Sequence, residues 1–272
     1  MKNTQHTSQH DDQKMIRTES ELSPEEFADF FSFLKNIQTH FNDFCVFDGT
    51  FRSKTIDRTC VVETGFPYFS KMNFNLFSTK KSANMLSVLD RKSGIIVTVD
   101  DDKVTFADKY QEIQFRIGRY EYLDNKFISV TEMENIHFKK IDPDRLFLRE
   151  SLPKTTVSRI NKMLREQNTA AIRVTHVENT LNMVFFQISE GSQGSGFQNY
   201  QMKLNKPLLL PMKKGHYFDI ACMPFEFCKD FISLNFYFTE DENIIHLIYN
   251  TVVNNLFVNI YARATLIEEG TG

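Results

Sequence analysis

The sequence predicts an α+β protein made of two similar domains, each an antiparallel sheet with two helices. Three observations lead to this prediction. Short runs of alternating polarity are joined by tight turns, which is typical of antiparallel strands. Helical segments are few and widely spaced, whereas a parallel sheet needs a helix after nearly every strand. The order helix, strands, helix, strands occurs twice, in residues 23–140 and 141–268, although the residues of the two halves are not alike.

The first 22 residues are polar and show no periodicity, so we predict a disordered tail over residues 1–22. The first helix is predicted to follow at once, because Ser23, Pro24 and Glu26 form the pattern of a capping box with proline at the first helical position. The apolar residues at helical spacing are Phe27, Phe30, Phe31, Leu34, Ile37 and Phe41, and the opposite face carries Ser32, Lys35, Asn36 and Thr39.

The rest of the first half is predicted to contain two hairpins, further strands and one helix. The strands are expected at residues 44–47 and 50–53, joined by Asp48-Gly49, and at 59–64, 71–77, 95–99, 103–106 and 110–117. The second helix is predicted over residues 78–89.

The second half repeats this order. A helix is predicted over residues 155–167 and a short one over 224–233, with Pro224 at its first position. Strands are expected at 171–177, 181–189, 200–204, 217–221, 234–238, 244–249 and 256–266, with an extended segment at 207–212. Gly191–Gly196 is interpreted as a flexible loop, because no strand-to-helix context supports a phosphate-binding glycine motif.

Composition and motifs argue against several classes of function. The net charge of −3 excludes DNA binding by bulk charge and leaves only a local basic surface. There is no run of 18 apolar residues and no apolar leader, which predicts a protein that is neither membrane-spanning nor secreted. The four cysteines lack a CxxC spacing, so a reducing compartment is expected, and no zinc site or disulfide framework.

No motif for a nucleophile, a metal or a bound phosphate is present, and we predict no enzymatic activity and no cofactor. Asp100, Asp101 and Asp102 are interpreted as a solvated turn, because adjacent residues of a strand point to opposite faces. Cys222 and Cys228 are interpreted as small buried hydrophobic residues.

Basic helix faces are the most informative feature of the sequence. Arg159, Lys162 and Arg165 lie opposite the apolar stripe of the third helix, with Lys154 near its edge. The second helix adds Lys80 and Lys81, and the first adds Lys35. Such faces suit a phosphate backbone, where lysine and arginine displace counterions, although an ordinary solvated surface is the alternative. The last helix argues against uniform charge, because its Lys229 is accompanied by Glu226 and Asp230.

Four segments, in this order along residues 23–268, make the chain resemble the DNA sliding clamps of tailed phages, archaea and eukaryotes. They are Leu34–Ile37 with the following Gly49–Ser53, Asn75–Phe77 with Met85–Leu89, Lys103–Asp108, and Leu256–Ala262. The likeness is nearest to the phage clamps.

The resemblance implies a ring of three subunits, each with two halves, with sheets outside and helices lining the hole. Such a ring encircles duplex DNA without regard to sequence and tethers a replicative DNA polymerase, after a clamp loader has placed it. The expected location is then the cytoplasm or nucleoid of the cell, the host cell if the protein is viral. Ring assembly is expected to use strand edges, with residues 110–117 as one candidate.

Three alternatives remain open from the sequence. A monomeric clamp-like processivity subunit would bind linear duplex directly, with a steep salt dependence. A β-rich structural protein of a virion would form larger assemblies without any effect on a polymerase. A hydrolase without known motifs is the third alternative.

Overall fold

The computed structural model describes residues 17–41, 44–54, 60–117, 141–167, 171–176, 183–188, 200–213, 215–240 and 243–268. The helices within these residues are α1 (Pro24–Ile37), α2 (Thr79–Leu86), α3 (Lys154–Gln167) and α4 (Met223–Phe227), with short 3-10 turns at Pro67–Phe69 and Pro143–Arg145. The glycine-rich segment 191–196 and the boundary between the two halves at residue 140 lie outside the described residues.

The strands of the first half are β1 (Thr18–Leu22), β2 (Phe44–Phe47), β3 (Thr50–Lys54), β4 (Cys60–Gly65), β5 (Phe74–Phe77), β6 (Ile95–Val99), β7 (Lys103–Ala107) and β8 (Glu112–Arg116). Those of the second half are β9 (Leu146–Leu152), β10 (Ala171–His176), β11 (Met183–Ile188), β12 (Tyr200–Pro207), β13 (His216–Ala221), β14 (Ile232–Phe238), β15 (Ile244–Val253), β16 (Leu256–Thr265) and β17 (Ile267–Glu268).

These strands form three sheets, and every pairing between them is antiparallel. The first half contributes a four-stranded sheet ordered β1-β6-β7-β8, and the second half contributes a five-stranded sheet ordered β12-β11-β10-β13-β17. An eight-stranded sheet, ordered β5-β2-β3-β4-β16-β15-β14-β9, runs from one half into the other. The two halves meet where β4 pairs with β16, with Thr64 opposite Val258 and Val62 opposite Ile260. The predicted α+β class with antiparallel sheets is confirmed.

One face of the eight-stranded sheet carries the helices. Partners across a sheet project to the same side, and one row of such partners on this face is Phe47, Phe51, Thr64, Val258 and Thr251, all of them buried. On the same face, Phe33 of α1 meets Phe51 with ring centroids 4.9 Å apart, and Phe225 of α4 meets Tyr249 at 6.1 Å. Helices α1 and α4 therefore cover the same side of the sheet.

Helix α1 begins as its sequence predicts. The Ser23 hydroxyl accepts a hydrogen bond from the Glu26 amide at 3.3 Å, and the Glu26 carboxylate accepts one from the Ser23 amide at 2.8 Å. This capping box satisfies two amide groups that a helix start otherwise leaves without partners. The predicted apolar stripe of α1 is buried, together with Phe33, which the prediction omits.

Residues 18–22 correct the predicted disordered tail over residues 1–22, because they form β1 and pair with β6 from Thr18 opposite Val99 to Leu22 opposite Ile95. Their sequence, TESEL, alternates between half-buried and exposed positions, and only Leu22 is buried. An edge strand of this kind is stabilised by main-chain hydrogen bonds to its neighbour, which a polar sequence does not reveal.

Two further elements of the second half differ from the prediction. The last helix ends at Phe227 and not at Ser233, because Ile232, Leu234 and Phe236 alternate into the core as part of β14. Strand β9 was not predicted, although its alternation of Leu148, Glu150 and Leu152 on one side pairs it with β14. The first error concerns the end of an element, where local patterns are weakest, and the second is a whole strand that was missed.

No helix among the described residues is long and apolar enough to cross a membrane.

Candidate nucleic-acid interface

The four helices lie side by side in the order α2, α1, α4, α3. Lys35 of α1 donates to the Asn84 side-chain oxygen of α2 at 3.1 Å. The Phe41 ring, just beyond α1, packs edge-on against Phe227 of α4 at 5.6 Å. Asn161 of α3 donates to the main-chain oxygen of Phe225 in α4 at 2.7 Å. The helices of both halves thus form one continuous layer, and its solvent side is the surface on which the predicted cations can meet.

Helix α3 presents the three cations that its sequence predicts. Arg159, Lys162 and Arg165 are exposed, while Val157, Ile160 and Leu164 on the opposite side are buried. Lys162 lies 3.8 Å from the Glu166 carboxylate, an exposed pair that solvent screens strongly. Among the described residues, no ion pair involves Arg159 or Arg165.

Lys154 is in a different electrostatic setting from the other cations of α3. Its ammonium lies 2.7 Å from the Asp230 carboxylate, just after α4, and both side chains are well exposed. Because its charge is balanced locally, Lys154 offers less attraction to a phosphate than Arg159 does. The pair also ties the start of α3 to the end of α4.

The first half presents Lys80 and Lys81, both exposed on the first turn of α2. That turn is capped by Ser78, whose hydroxyl accepts from the Lys81 amide at 3.4 Å. Lys35 is half-buried, held between Asn84 and the ring of Phe31, whose centroid is 5.6 Å from its ammonium. All seven predicted cations therefore lie on the helix layer. Five of them are exposed and have no strong ion pair among the described residues: Lys80, Lys81, Arg159 and Arg165 form none, and Lys162 forms only the solvent-screened pair with Glu166.

The seam between the halves is electrically balanced. A cavity of about 290 Å³ lies there, and its charged lining residues are Lys35, Lys229, Glu226 and Asp230. His40 also lines it, and burial lowers the pKa of this imidazole, an effect that Lys229 reinforces and Glu226 opposes. Its neutral form is therefore favoured at pH 7, so it adds no positive charge. The mixed charge that the sequence indicates for the last helix is confined to this seam.

Asn254 connects the hairpin of the second half to the first helix. The turn between β15 and β16 contains Asn254 and Asn255, both with positive φ, as a two-residue hairpin turn of this type requires. The Asn254 amide nitrogen donates to the Ser32 hydroxyl at 2.6 Å, and its oxygen accepts from Asn36 at 2.6 Å. Two of the four residues on the predicted polar face of α1 therefore hold the other half of the chain, a role that sequence analysis missed.

Each of the three sheets has an end strand on either side among the described residues, and two of these edges are candidates for pairing with another chain. They are β8 at one end of the four-stranded sheet and β12 at one end of the five-stranded sheet. Tyr110, just before β8, is 76% exposed, and Leu209, just after β12, is 59% exposed. Unpaired edges are templates for pairing with another chain. The strand predicted at residues 110–117 is confirmed as an edge of its sheet.

The face of the eight-stranded sheet that lies opposite the helices carries a second cavity, of about 450 Å³. It is lined by Asn235, Tyr237, Ile248, Asn250, Asn259 and Tyr261. The Asn235 side chain donates to Asn250 at 2.8 Å, and Asn250 donates to Asn259 at 2.7 Å. Burial raises the pKa of Tyr261, as does the nearby Glu63 carboxylate, so its hydroxyl stays protonated. The cavity thus combines aromatic walls with a floor of ordered amides.

The described residues contain no group of three side chains that could hold a metal ion. Cys45, Cys222 and Cys228 are buried, and burial raises the pKa of each thiol to about 12. These thiols are therefore protonated at neutral pH and are weak nucleophiles. The interpretation of Cys222 and Cys228 as buried small side chains is confirmed.

The chain is similar to known proteins in its fold but not in its sequence. No family model and no curated protein sequence matches the chain. Among solved structures, the proliferating cellular nuclear antigen of Entamoeba histolytica matches with a TM-score of 0.54 and 13% identity, over 91% of this chain and 98% of that one. The DnaN sliding clamp of Bartonella birtlesii, a DNA polymerase III subunit beta bound to griselimycin, matches with a TM-score of 0.57 and 10% identity over 92% of this chain. This chain spans 65% of the DnaN protein. The fold is that of the sliding clamps.

Proposed function

We propose that this protein is a sliding clamp, a non-enzymatic processivity factor that encircles duplex DNA and tethers a replicative DNA polymerase. The observation that carries the proposal is the continuous layer of four helices with cations on its solvent side. The sliding-clamp fold supports it, because the same layer in a closed ring would face the hole. The proposed DNA contacts are Arg159, Lys162, Arg165, Lys80 and Lys81, with Lys35 and Lys154 as supporting residues.

The strength of these contacts suits sliding. A ring that encloses DNA holds it by topology, so each contact has only to steer the duplex and not to grip it. Exposed lysines and arginines supply attraction that is independent of sequence. The balanced seam around Glu226 and Asp230 interrupts the positive surface. The net charge of −3 then reflects acidic residues elsewhere on the molecule.

The ring is proposed to close by pairing β8 of one subunit with β12 of the next, in a homotrimer. Head-to-tail pairing uses two different surfaces of each subunit and closes when the rotation divides evenly. In an antiparallel pair, the start of one strand lies beside the end of the other. Tyr110 and Leu209, both exposed in the single chain, would then meet and be covered at the interface.

The cavity opposite the helices is the proposed contact for the polymerase and for a clamp loader. It lies on the outer face of the sheet, away from the proposed DNA surface, so a partner bound there leaves the hole free. Its aromatic walls, Tyr237 and Tyr261, suit an apolar anchor of a partner segment. We also propose that the protein acts where DNA is replicated, in the cytoplasm or nucleoid. A relationship to the phage clamps is part of this proposal.

The native mass in solution tests the proposed assembly. A ring of three subunits has three times the chain mass of 31.9 kDa, and we expect light scattering to give that value at micromolar concentration. A monomer at this concentration would contradict the ring and favour the monomeric processivity subunit. Assemblies much larger than a trimer would favour a structural protein.

A further inference from the structure

We infer that Arg91, in the turn after α2, is an additional phosphate contact of the proposed DNA surface. The inference rests on the proposed function and extends it beyond the helices. Arg91 lies outside the helices, so the charge pattern of the helix faces does not predict it. Three features support the inference: the position of Arg91 against Phe31, the lack of an ion pair with it among the described residues, and the hydrogen bonds that hold its turn.

The Arg91 guanidinium is stacked on α1. Its central carbon lies 4.1 Å from the centroid of the Phe31 ring, within the range of a cation–π interaction. The Lys35 ammonium is 5.6 Å from the same centroid. The aromatic ring of α1 thus brings a residue from the turn next to a predicted DNA contact, and Arg91 joins the helix layer without belonging to a helix.

The charge of Arg91 is available to a ligand. The residue is exposed, and in the part of the chain that the structure describes no carboxylate forms an ion pair with it. Stacking uses the face of the guanidinium and leaves its N–H groups at the rim, which is the geometry that binds phosphate oxygens in pairs. Lys154, whose ammonium is engaged by Asp230 at 2.7 Å, lacks this freedom.

The turn is held by the carboxylate of Asp108. It accepts main-chain hydrogen bonds from Asp90 at 2.7 Å, from Tyr110 at 2.7 Å and from Gln111 at 2.8 Å. These bonds lower the pKa of Asp108, so the carboxylate stays ionised and the bonds persist at neutral pH. Within the turn, the Asp90 side chain accepts from the Lys92 amide at 3.0 Å. Arg91 is therefore preorganised, and little further conformational entropy is lost on binding.

The salt dependence of DNA binding tests this inference. The probe is a short fluorescent duplex, whose open ends let a ring thread on and off at equilibrium. The resulting weak affinity is measured by anisotropy over a series of salt concentrations. We expect R91Q to reduce the slope of log affinity against log salt by about 0.9 for each subunit whose Arg91 touches a phosphate. R91K, which keeps the charge, is expected to keep the slope. If Arg91 only packs on Phe31 and does not contact DNA, R91Q would change the thermal stability and keep the wild-type slope.

The matched control is R149Q. Arg149 is also an exposed arginine, but it pairs with Asn235 on the face of the sheet opposite the helices, so its replacement is expected to leave the slope unchanged. A wild-type slope in R91Q, or an equal reduction in R91K, would overturn the inference. The variant with Arg159, Lys162 and Arg165 changed to Glu, in the same assay, separates the two proposals. If the triple variant has a reduced slope and R91Q has the wild-type slope, only the inference about Arg91 is overturned. If both variants have the wild-type slope, the proposed function is overturned as well.

Discussion

In the proposed clamp, single residues of the helix layer contact DNA, and only some of these residues could be predicted from the sequence. The pattern of α3 predicts Arg159, Lys162 and Arg165 because a helix separates its two faces by sequence spacing alone. The same reasoning cannot find Asn254 or Arg91. Asn254 contacts residues 218 and 222 positions away along the chain, and such contacts depend on the tertiary fold. The pair Asn254-Asn255 does indicate a hairpin turn, but nothing in it indicates what the turn touches.

Charge reversal of the α3 cations tests their role. Changing Arg159, Lys162 and Arg165 together to Glu should reduce processive synthesis in a primer-extension assay, because the surface then repels phosphates. The melting temperature should stay within a few degrees of wild type, since Val157, Ile160 and Leu164 on the buried side are untouched. K71E, at an exposed lysine that lies outside the helices and does not line the cavity proposed for the polymerase, is the control. Unchanged processivity in the triple variant would remove these residues from the DNA surface.

Asn254 should contribute to the stability of the whole chain through its two hydrogen bonds to α1. N254G keeps the positive φ of the turn and removes both bonds, and we expect it to lower the free energy of unfolding by about 1 to 2 kcal/mol. N255G is the matched control, because Asn255 also has positive φ and is exposed. Urea denaturation measures both variants. Equal losses would mean that the side chain of Asn254 contributes nothing.

At the scale of elements, local sequence signals predict where a helix or strand starts, and which of the two it is, better than they predict its length. Ser23, Pro24 and Glu26 fix where α1 begins, and the structure confirms that start. Strand β1 carries no such signal, because its stability comes from pairing with β6, a strand more than 70 residues later in the chain. Helix α4 was instead predicted too long, because the buried alternation of β14 overrides any helical tendency of residues 228–233.

The capping box of α1 can be tested by comparing two serine-to-alanine substitutions that should change the free energy of unfolding in opposite directions. S23A should lower the free energy of unfolding by about 1 kcal/mol, because it removes the cap that satisfies the Glu26 amide. S158A replaces an exposed serine within α3, where alanine is the better helix former, so a small gain of a few tenths of a kcal/mol is expected. Chemical denaturation distinguishes the two. A neutral S23A would show that the cap is dispensable.

At the scale of the whole molecule, the edge strands β8 and β12 together with the helix layer support the proposed arrangement, a ring of copies joined edge to edge. The class of the fold could be predicted from the spacing of strands and helices, because antiparallel hairpins are local. The assembly could not, since an edge is defined by the absence of a neighbour, and strand patterns look alike at edges and centres. The structure adds the exposure of Tyr110 and Leu209, which no pattern reveals.

Removing these two side chains should weaken the assembly. Y110S and L209S, separately, are expected to shift the trimer toward monomers at concentrations where the wild type stays assembled, because each loses apolar area at the proposed interface. F257S is the matched control, since Phe257 is as exposed as Leu209, at 59%, but lies on β16 inside the eight-stranded sheet. Analytical ultracentrifugation measures the shift. A trimer equally stable in all three variants would exclude the β8–β12 interface.

The most direct test of encirclement is retention on DNA whose ends are blocked. The protein is threaded onto linear duplex at low salt, both ends are capped with a bulky protein, and the complex is washed with high salt, which removes electrostatic binding. We expect the protein to remain on capped DNA and to leave at once when a nuclease cuts the duplex between the caps. Release by salt from capped DNA, at the same rate as from open DNA, would contradict a ring around the duplex.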